Sequence, residues 1–257
     1  MKATVCELPD DPGRFELAWG DLVVHTGLAK SDLVVLPEMA FGPWVVAGRR
    51  FDPAAWEGLV SLHDAWIKRL RDLAPAVVLG TRPVNRDGKR YNEAFVWDVR
   101  QGYRPVHRKT LLPNEEGFRE TVWFHRGQPE FRPLQVESGQ APPFSVGFLI
   151  CTELWVMEEA RKYGKTGVHI IAVPRATGSE SLDRWLAGGR AASVLSGTYV
   201  LSSNRTGAMF GGLGWVLGPE GDILGLTTSD LPFMTVEIDL QKSENAKRKY
   251  PRNLFPS

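Results

Sequence analysis

No stretch narrows the possible fold more than residues 143–161, PFSVGFLICTELWVMEEAR. An apolar run from Phe144 to Ile150 delivers Cys151 to a sharp change of pattern, and Leu154 to Tyr163 then read as a helix carrying Glu158 and Glu159. The run is short, branched in places and preceded by two prolines, which suits a buried strand. A thiol between a strand end and a helix start feels the positive end of the helix dipole. That favours the thiolate, the form that attacks a carbonyl carbon.

Similar short runs recur along the chain. Lys2–Leu8 carries Cys6 and stops at Pro9, Leu33–Leu36 stops at Pro37, and Ala76–Gly80 and Val168–Val173 are as brief. Tyr199–Ser202, Gly212–Leu217, Ile223–Leu226 and Met234–Leu240 complete the strands, with 219–222 (PEGD) as a turn. A short helix is predicted over 13–29, ending near Gly27. A second spans 53–73, where Leu59, Leu62, Trp66, Leu70 and Leu73 keep a helical period and Pro53 suits the first turn. A third, over 183–198, is weakened by Gly188-Gly189. Arg82–Val99 reads as a hairpin turning at Asp87-Gly88, with Ala94, Val96 and Asp98 alternating against Phe95 and Trp97. Residues 110–127 are polar, broken by Pro113 and Gly117, and read as a loop. Strands alternate with helices while hairpins intervene, so the class is α/β with mixed sheets. Strands of about five residues point to two packed sheets with helices outside. Residues 1–240 form one domain in this reading, and 241–257 a polar, basic arm over the surface or a neighbouring subunit.

Charge narrows the partners. Lys and Arg total 31 against 30 Asp and Glu, with no long basic block before the tail, so neither nucleic acid nor an anionic membrane is implied. Apolar stretches fall well short of the roughly 18 residues of a membrane span, and the start lacks a signal-peptide core. Two cysteines argue against a disulfide framework and for a reducing compartment, read as the cytoplasm. The five histidines show no paired metal-ligand spacing. The glycine-rich 210–214 (FGGLG) lacks the GK[ST] ending of a phosphate loop.

Glu38 follows a strand stop, Lys109 follows a shorter and more polar approach, and functional side chains in α/β proteins gather beyond strand ends. A thiolate needs a base, which a buried carboxylate supplies. An oxyanion needs positive charge and N–H groups, available from Lys109 and the Thr152 amide. Glu153, two residues past the sulfur, reads as a helix-start carboxylate rather than a catalytic acid. Residue types alone also permit a Cys–His hydrolase using His107 or His125, or a purely structural Cys151. Cys6 reads as core filler.

The blocks LVVLPEMAF with Glu38, YNEAFVWD at 91–98, HRKTLLP with Lys109, GFLICTELW with Cys151, YVLSSNRTG at 199–207 and WVLGPEGDIL at 215–224 occur together and in order. On these the chain resembles the carbon–nitrogen hydrolases of the nitrilase superfamily, amidases and carbamoylases included. The resemblance implies an α-β-β-α sandwich and a Glu38–Lys109–Cys151 triad. It implies no metal, no organic cofactor, and a homodimer or higher homo-oligomer. The expected substrate is a small amide or carbamoyl compound cleaved through a thioester. A nitrile substrate and a non-catalytic binding protein are the alternatives. Glu120 occupies the position of the family's second glutamate, with Glu115 and Glu116 as competitors. Two departures stand out: Gly214 replaces a frequent serine, and Arg190–Val194 departs from the family's helix pattern, both expected to reshape the pocket wall. Leu154 and Trp155 stand where carbamoyl-amino-acid hydrolases often carry arginines. Arg175 is a candidate anion binder, and Trp44 and Trp155 are candidate pocket walls.

Overall fold

The computed structural model describes residues 1–137 and 142–254. In chain order the elements are β1 (Lys2–Pro9), α1 (Pro12–Ala29), β2 (Leu33–Val35), α2 (Pro53–Arg69), β3 (Val77–Arg86), β4 (Lys89–Asp98) and β5 (Gly102–Arg108). Then come β6 (Asn114–Glu115), β7 (Phe118–Arg119), α3 (Glu120–Trp123), β8 (Leu134–Val136), β9 (Phe144–Phe148), α4 (Met157–Lys165) and β10 (Ile170–Arg175). The chain continues through α5 (Leu182–Ser196), β11 (Tyr199–Thr206), β12 (Trp215–Leu217), β13 (Ile223–Leu226), β14 (Phe233–Glu237) and α6 (Leu240–Lys247).

Two mixed sheets result. One runs β14-β1-β2-β3-β4-β5, parallel across β1, β2 and β3 and antiparallel elsewhere. The other runs β8-β9-β10-β11-β12-β13, parallel across β9, β10 and β11. They join where Glu7–Pro9 of β1 pairs in parallel with Asn204–Thr206 of β11. Side-chain alternation sorts the layers. Ala3, Val5, Leu33, Val35, Val77, Leu79, Ala94 and Val96 turn inward to meet Val146, Phe148, Ile170 and Ala172 of the opposite sheet. Their neighbours Cys6, Leu8, Val34, Leu36, Val78, Phe95 and Trp97 face outward, beneath Phe15, Trp19 and Leu22 of α1 and Trp66 of α2. Helices α4 and α5 cover the second sheet, giving the four-layer α-β-β-α sandwich.

Local chemistry explains the helix starts. Asp11 accepts the Arg14 amide at 2.9 Å, and Asp52 accepts those of Ala54 and Ala55, each ahead of a proline in the first turn. Several boundaries differ from the sequence reading. Helix α1 fills the predicted span to Ala29 without stopping at Gly27, and α2 tightens into a 3₁₀ turn over Leu70–Leu73. Strand β3 extends to Arg86, because the hairpin turns at Asp87 and Gly88, both at positive φ. The segment read as a loop contains the β6–β7 hairpin and α3. Residues after Glu237 form not strand but α6, capped by Asp239 on the Gln241 amide at 3.0 Å. This C-terminal segment packs on its own chain, Ser243 donating to the Gly197 carbonyl at 2.8 Å and Arg252 to that of Val194 at 2.7 Å.

The largest departure lies beside Cys151. Residues Cys151–Trp155 form a 3₁₀ turn, Val156 leaves helical geometry, and α4 begins only at Met157. No α-helix therefore starts at the sulfur, and the dipole argument for its ionisation fails.

Candidate active site

Three sharp exits from strands bring the acidic, basic and sulfur groups together. After β2, Pro37 ends the pairing and Glu38 is anchored by donating its amide to the Arg175 carbonyl at 3.1 Å. The next residue, Met39, holds φ at 44°, a strained left-handed geometry. It is held there from two sides. The Met39 amide donates to Thr81 Oγ1 at 2.8 Å, and the buried Arg205 guanidinium donates to the carbonyls of Glu38, Met39 and Gly42 while pairing with Asp10. Lys109 directly follows β5, its amide donating to the Asn92 carbonyl at 2.9 Å. Cys151 opens the 3₁₀ turn at φ 49°, again left-handed, which turns its side chain away from the line of the strand.

The side chains meet in a buried site. Lys109 Nζ donates to Glu38 Oε1 at 2.7 Å and to Glu120 Oε1 at 2.7 Å, and all three side chains are at most 1 % exposed. Asn92 Nδ2 donates to the same Glu38 Oε1 at 2.8 Å. Glu38 Oε2 and Glu120 Oε2 are buried and have no hydrogen-bond partner in the protein. Glu120, not Glu115 or Glu116, is the second carboxylate on Lys109. Glu115 is exposed on β6, and Glu116 pairs with Arg49 at 3.4 Å.

Burial decides the charges. It would discharge Lys109, but Glu120 and Glu38 reverse that and hold its pKa above the ordinary lysine value. Burial pushes Glu120 up to about 8, opposed by Lys109 and reinforced by Glu38. The Cys151 thiol is pushed well up, first by burial and then by the Glu38 charge, against the pull of Lys109 and a backbone hydrogen bond at Ala176. The sulfur therefore rests as a thiol, a correction to the thiolate expected from sequence.

Glu120 sets up a test by stability. Its folded pKa exceeds the unfolded value of 4.5, so the protonated form contributes stability that is complete below about pH 4.5 and lost as pH rises through about 8. In Glu120→Gln the amide nitrogen takes the place of the unpartnered Oε2. The variant is expected to gain stability relative to the parent between pH 4.5 and pH 8, by on the order of 3 kcal/mol. Urea denaturation at both pH values checks this. An unchanged difference between the two proteins would contradict a proton held at Glu120.

Cys151, Thr152 and Glu120 line a cleft of about 670 Å³ together with Trp155, Trp185, Phe118, Phe210 and the Thr177–Ser181 segment. Trp155, 46 % exposed, packs against Trp185 with ring centres 4.9 Å apart. Gly188 makes room for it, since a Cβ there would sit 2.7 Å from the indole. Glu115, Glu180 and Arg184 bring charges of both signs to the same cleft.

Other expected site residues fall elsewhere. Trp44 lies behind the wall, donating to the Gly117 carbonyl at 3.0 Å and edging against Phe210 and Phe118. Arg175 does not line the cleft. Its guanidinium donates to Ser202 Oγ, Thr177 Oγ1 and the Leu213 carbonyl and stacks 3.9 Å from the Trp215 ring centre. Burial also lowers its pKa to about 9. Gly214 and Arg190–Val194 are off the cleft wall too. The imidazole of His107 meets Glu153, and Nδ1 of His125 accepts the Arg90 amide, so no Cys–His pair forms. Cys6 is core, its thiol raised to about 12 by burial. Sequence reasoning left Asn92, Arg205 and Thr110 without roles and offered His107 only as the base of a Cys–His pair. Their only signal was a polar side chain at the end of a strand.

The comparisons agree with this architecture. The sequence profile described as Carbon-nitrogen hydrolase matches residues 17–248. An N-carbamoylputrescine amidase of Solanum tuberosum is 24% identical over 180 residues, 61% of this chain and 57% of that protein. A citrullinase of Francisella tularensis is 31% identical over 140 residues, 50% of this chain and 46% of that protein. The chain thus spans about half the length of these relatives. The crystal structure of a carbon-nitrogen hydrolase from Helicobacter pylori superposes with a TM-score of 0.86 at 21% identity, covering 99% of this chain and 94% of that one.

Proposed function

Because the chain belongs to the carbon–nitrogen hydrolase family, we propose that it hydrolyses a non-peptide C–N bond of a small amide or carbamoyl compound through a thioester on Cys151. The observation that carries this reading is the division of labour at Glu38. One carboxylate oxygen is occupied by Lys109 and Asn92, while the other is buried without a partner in a cluster whose charge acts on the sulfur.

In this scheme Glu38 Oε2 takes the Cys151 proton as the sulfur attacks the carbonyl carbon, forming the S–C bond and placing the electron pair on oxygen. Lys109 and the Thr152 amide stabilise that oxyanion. The C–N bond breaks as Glu38 returns the proton to nitrogen, releasing ammonia or an amine and leaving the thioester. Water, deprotonated by the same carboxylate, attacks the acyl carbon. The acid departs and the sulfur regains its proton. Glu120 holds the Lys109 ammonium in place throughout. A raised thiol pKa fits such a sequence, because proton transfer and attack occur together and no free thiolate waits in the cleft.

A carbamoyl group is common to the substrates named in the two relatives, and a cleft with Glu115, Glu180 and Arg184 suits a polar or zwitterionic tail. Two buried thiols fit a reducing compartment, proposed here as the cytoplasm, and a homodimer belongs to the same proposal. Among the described residues no helix is long and apolar enough to cross a membrane.

Acid-quenched mixtures with matched amides, ureido compounds and nitriles test the reading by mass spectrometry. The expected result is an acyl or carbamoyl adduct on the Cys151 peptide with stoichiometric ammonia from amide or ureido substrates. Turnover confined to nitriles would replace the substrate class, and no adduct on any of them would overturn the thioester.

A further inference from the structure

Glu153 is neither a surface carboxylate nor a simple helix cap. Its side chain is fully buried, and among the described residues its ion-pair partner is His107, itself 1 % exposed. Oε1 accepts the Thr110 amide at 2.6 Å, the Thr110 hydroxyl at 3.0 Å and His107 Nε2 at 3.0 Å. Oε2 accepts the Ile150 amide at 2.9 Å and His107 Nε2 at 2.9 Å. The arrangement has a pattern. Thr110 follows Lys109, His107 stands two residues before it, and Ile150 precedes Cys151. One carboxylate thus holds the chain on both sides of Lys109 and grips the residue ahead of the sulfur. Two of its donors are backbone amides, whose positions are set by the chain itself. The His107 ring is braced in turn by Phe131, with ring centres 4.6 Å apart.

We propose that Glu153 is a positioning residue that fixes Lys109 relative to the Cys151 sulfur, with His107 locking the carboxylate in place. The proposal rests on the reading of Cys151 as nucleophile and Lys109 as the oxyanion's cation. Lys109 directly follows β5 and Cys151 lies three residues past the end of β9, so strand pairing does not by itself set the distance between them. The carboxylate supplies that missing constraint. A displacement near 1 Å between reacting groups costs about 10²-fold in rate.

Glu153→Gln removes the constraint with little change of volume. Every group around the carboxylate is a donor, and an amide has one accepting oxygen, so its NH₂ must face either the Ile150 or the Thr110 amide. The expected result is a fall in kcat of about 10²-fold with KM within about threefold of the parent. Alkylation of Cys151 by iodoacetamide should slow in parallel. His107→Gln retains a side-chain N–H for Glu153 and His107→Ala does not. The first should keep most of the parent kcat, and the second should lose about tenfold.

Parental kcat in Glu153→Gln would overturn the proposal. So would a loss of kcat that His107→Ala and His107→Gln share equally, in step with lowered melting temperatures, which is the mark of a merely structural role. Should Glu153→Gln not fold, the His107 pair decides alone. Cys151→Ala separates the two levels. Turnover in that variant sinks the nucleophile reading itself, whereas an inactive Cys151→Ala beside a fully active Glu153→Gln sinks only the positioning role.

Discussion

Cys151→Ala is expected to lose turnover by about 10⁴-fold or more while remaining folded. The two halves of that expectation have separate causes. Without the sulfur no thioester forms, and Glu38, Lys109 and the cleft are left with water as the only nucleophile. Stability, by contrast, loses little. The resting thiol is neutral, because burial and the Glu38 charge both oppose its ionisation, so no buried charge is removed. The left-handed backbone at φ 49° disfavours alanine and cysteine alike, so the strain is unchanged. What remains is a cavity the size of one sulfur atom, worth about 1 kcal/mol, or roughly 2–4 °C in a chain of this length. Ammonia release and thermal unfolding measured on one preparation check both halves. Retained turnover would refute the thioester scheme, and a melting temperature lowered by more than about 10 °C would show that the sulfur is structural.

The layers of the fold were legible because strand alternation is a local property. Ala94 and Val96 against Phe95 and Trp97 announce two buried faces, and those residues do divide between the core shared by the sheets and the core beneath the helices. The Asp87-Gly88 turn was equally plain. The backbone just past Cys151 was not, because the pattern from Leu154 onward is helical in period while Val156 interrupts the chain's helical geometry and delays α4 to Met157. That local break cancels the dipole argument.

Direction proved harder to read than position. Trp44 stands close to the Glu38 block and Arg175 at the end of β10, yet one packs behind the cleft and the other hydrogen-bonds inward. Polar residues that order the site carry the opposite lesson. Asn92, Arg205 and the His107–Glu153 pair act on groups tens of residues away or more, so no local pattern names their partners. A buried polar group must find a partner, and only the folded chain shows which.

Lys109→Met carries the same reasoning to its largest consequence for stability. The ammonium is the cation in contact with both Glu38 and Glu120. Methionine fills most of the volume but leaves Glu38 and Glu120 buried side by side without the ammonium between them, so the proton that Glu120 holds below about pH 8 is bound more tightly still. Removing one partner from a buried ionic cluster costs about 3–5 kcal/mol. The pH dependence comes from the sign of the shift. Glu120 already lies at about 8 with Lys109 present, and loss of the cation raises it further. A carboxyl whose folded pKa exceeds its unfolded value contributes stability that is complete below about pH 4.5 and lost as pH rises through the folded pKa. Lys109→Met should therefore show a steady deficit up to about pH 8, where Glu120 is protonated in both folded proteins, and fall further behind the parent as pH rises above it. Turnover should drop by about 10³-fold or more, since the oxyanion loses its cation. Denaturation profiles from pH 4.5 to pH 9, beside steady-state rates, provide the measurement. A stability difference that does not grow with pH would mean that the two carboxylates are not held together by this one charge.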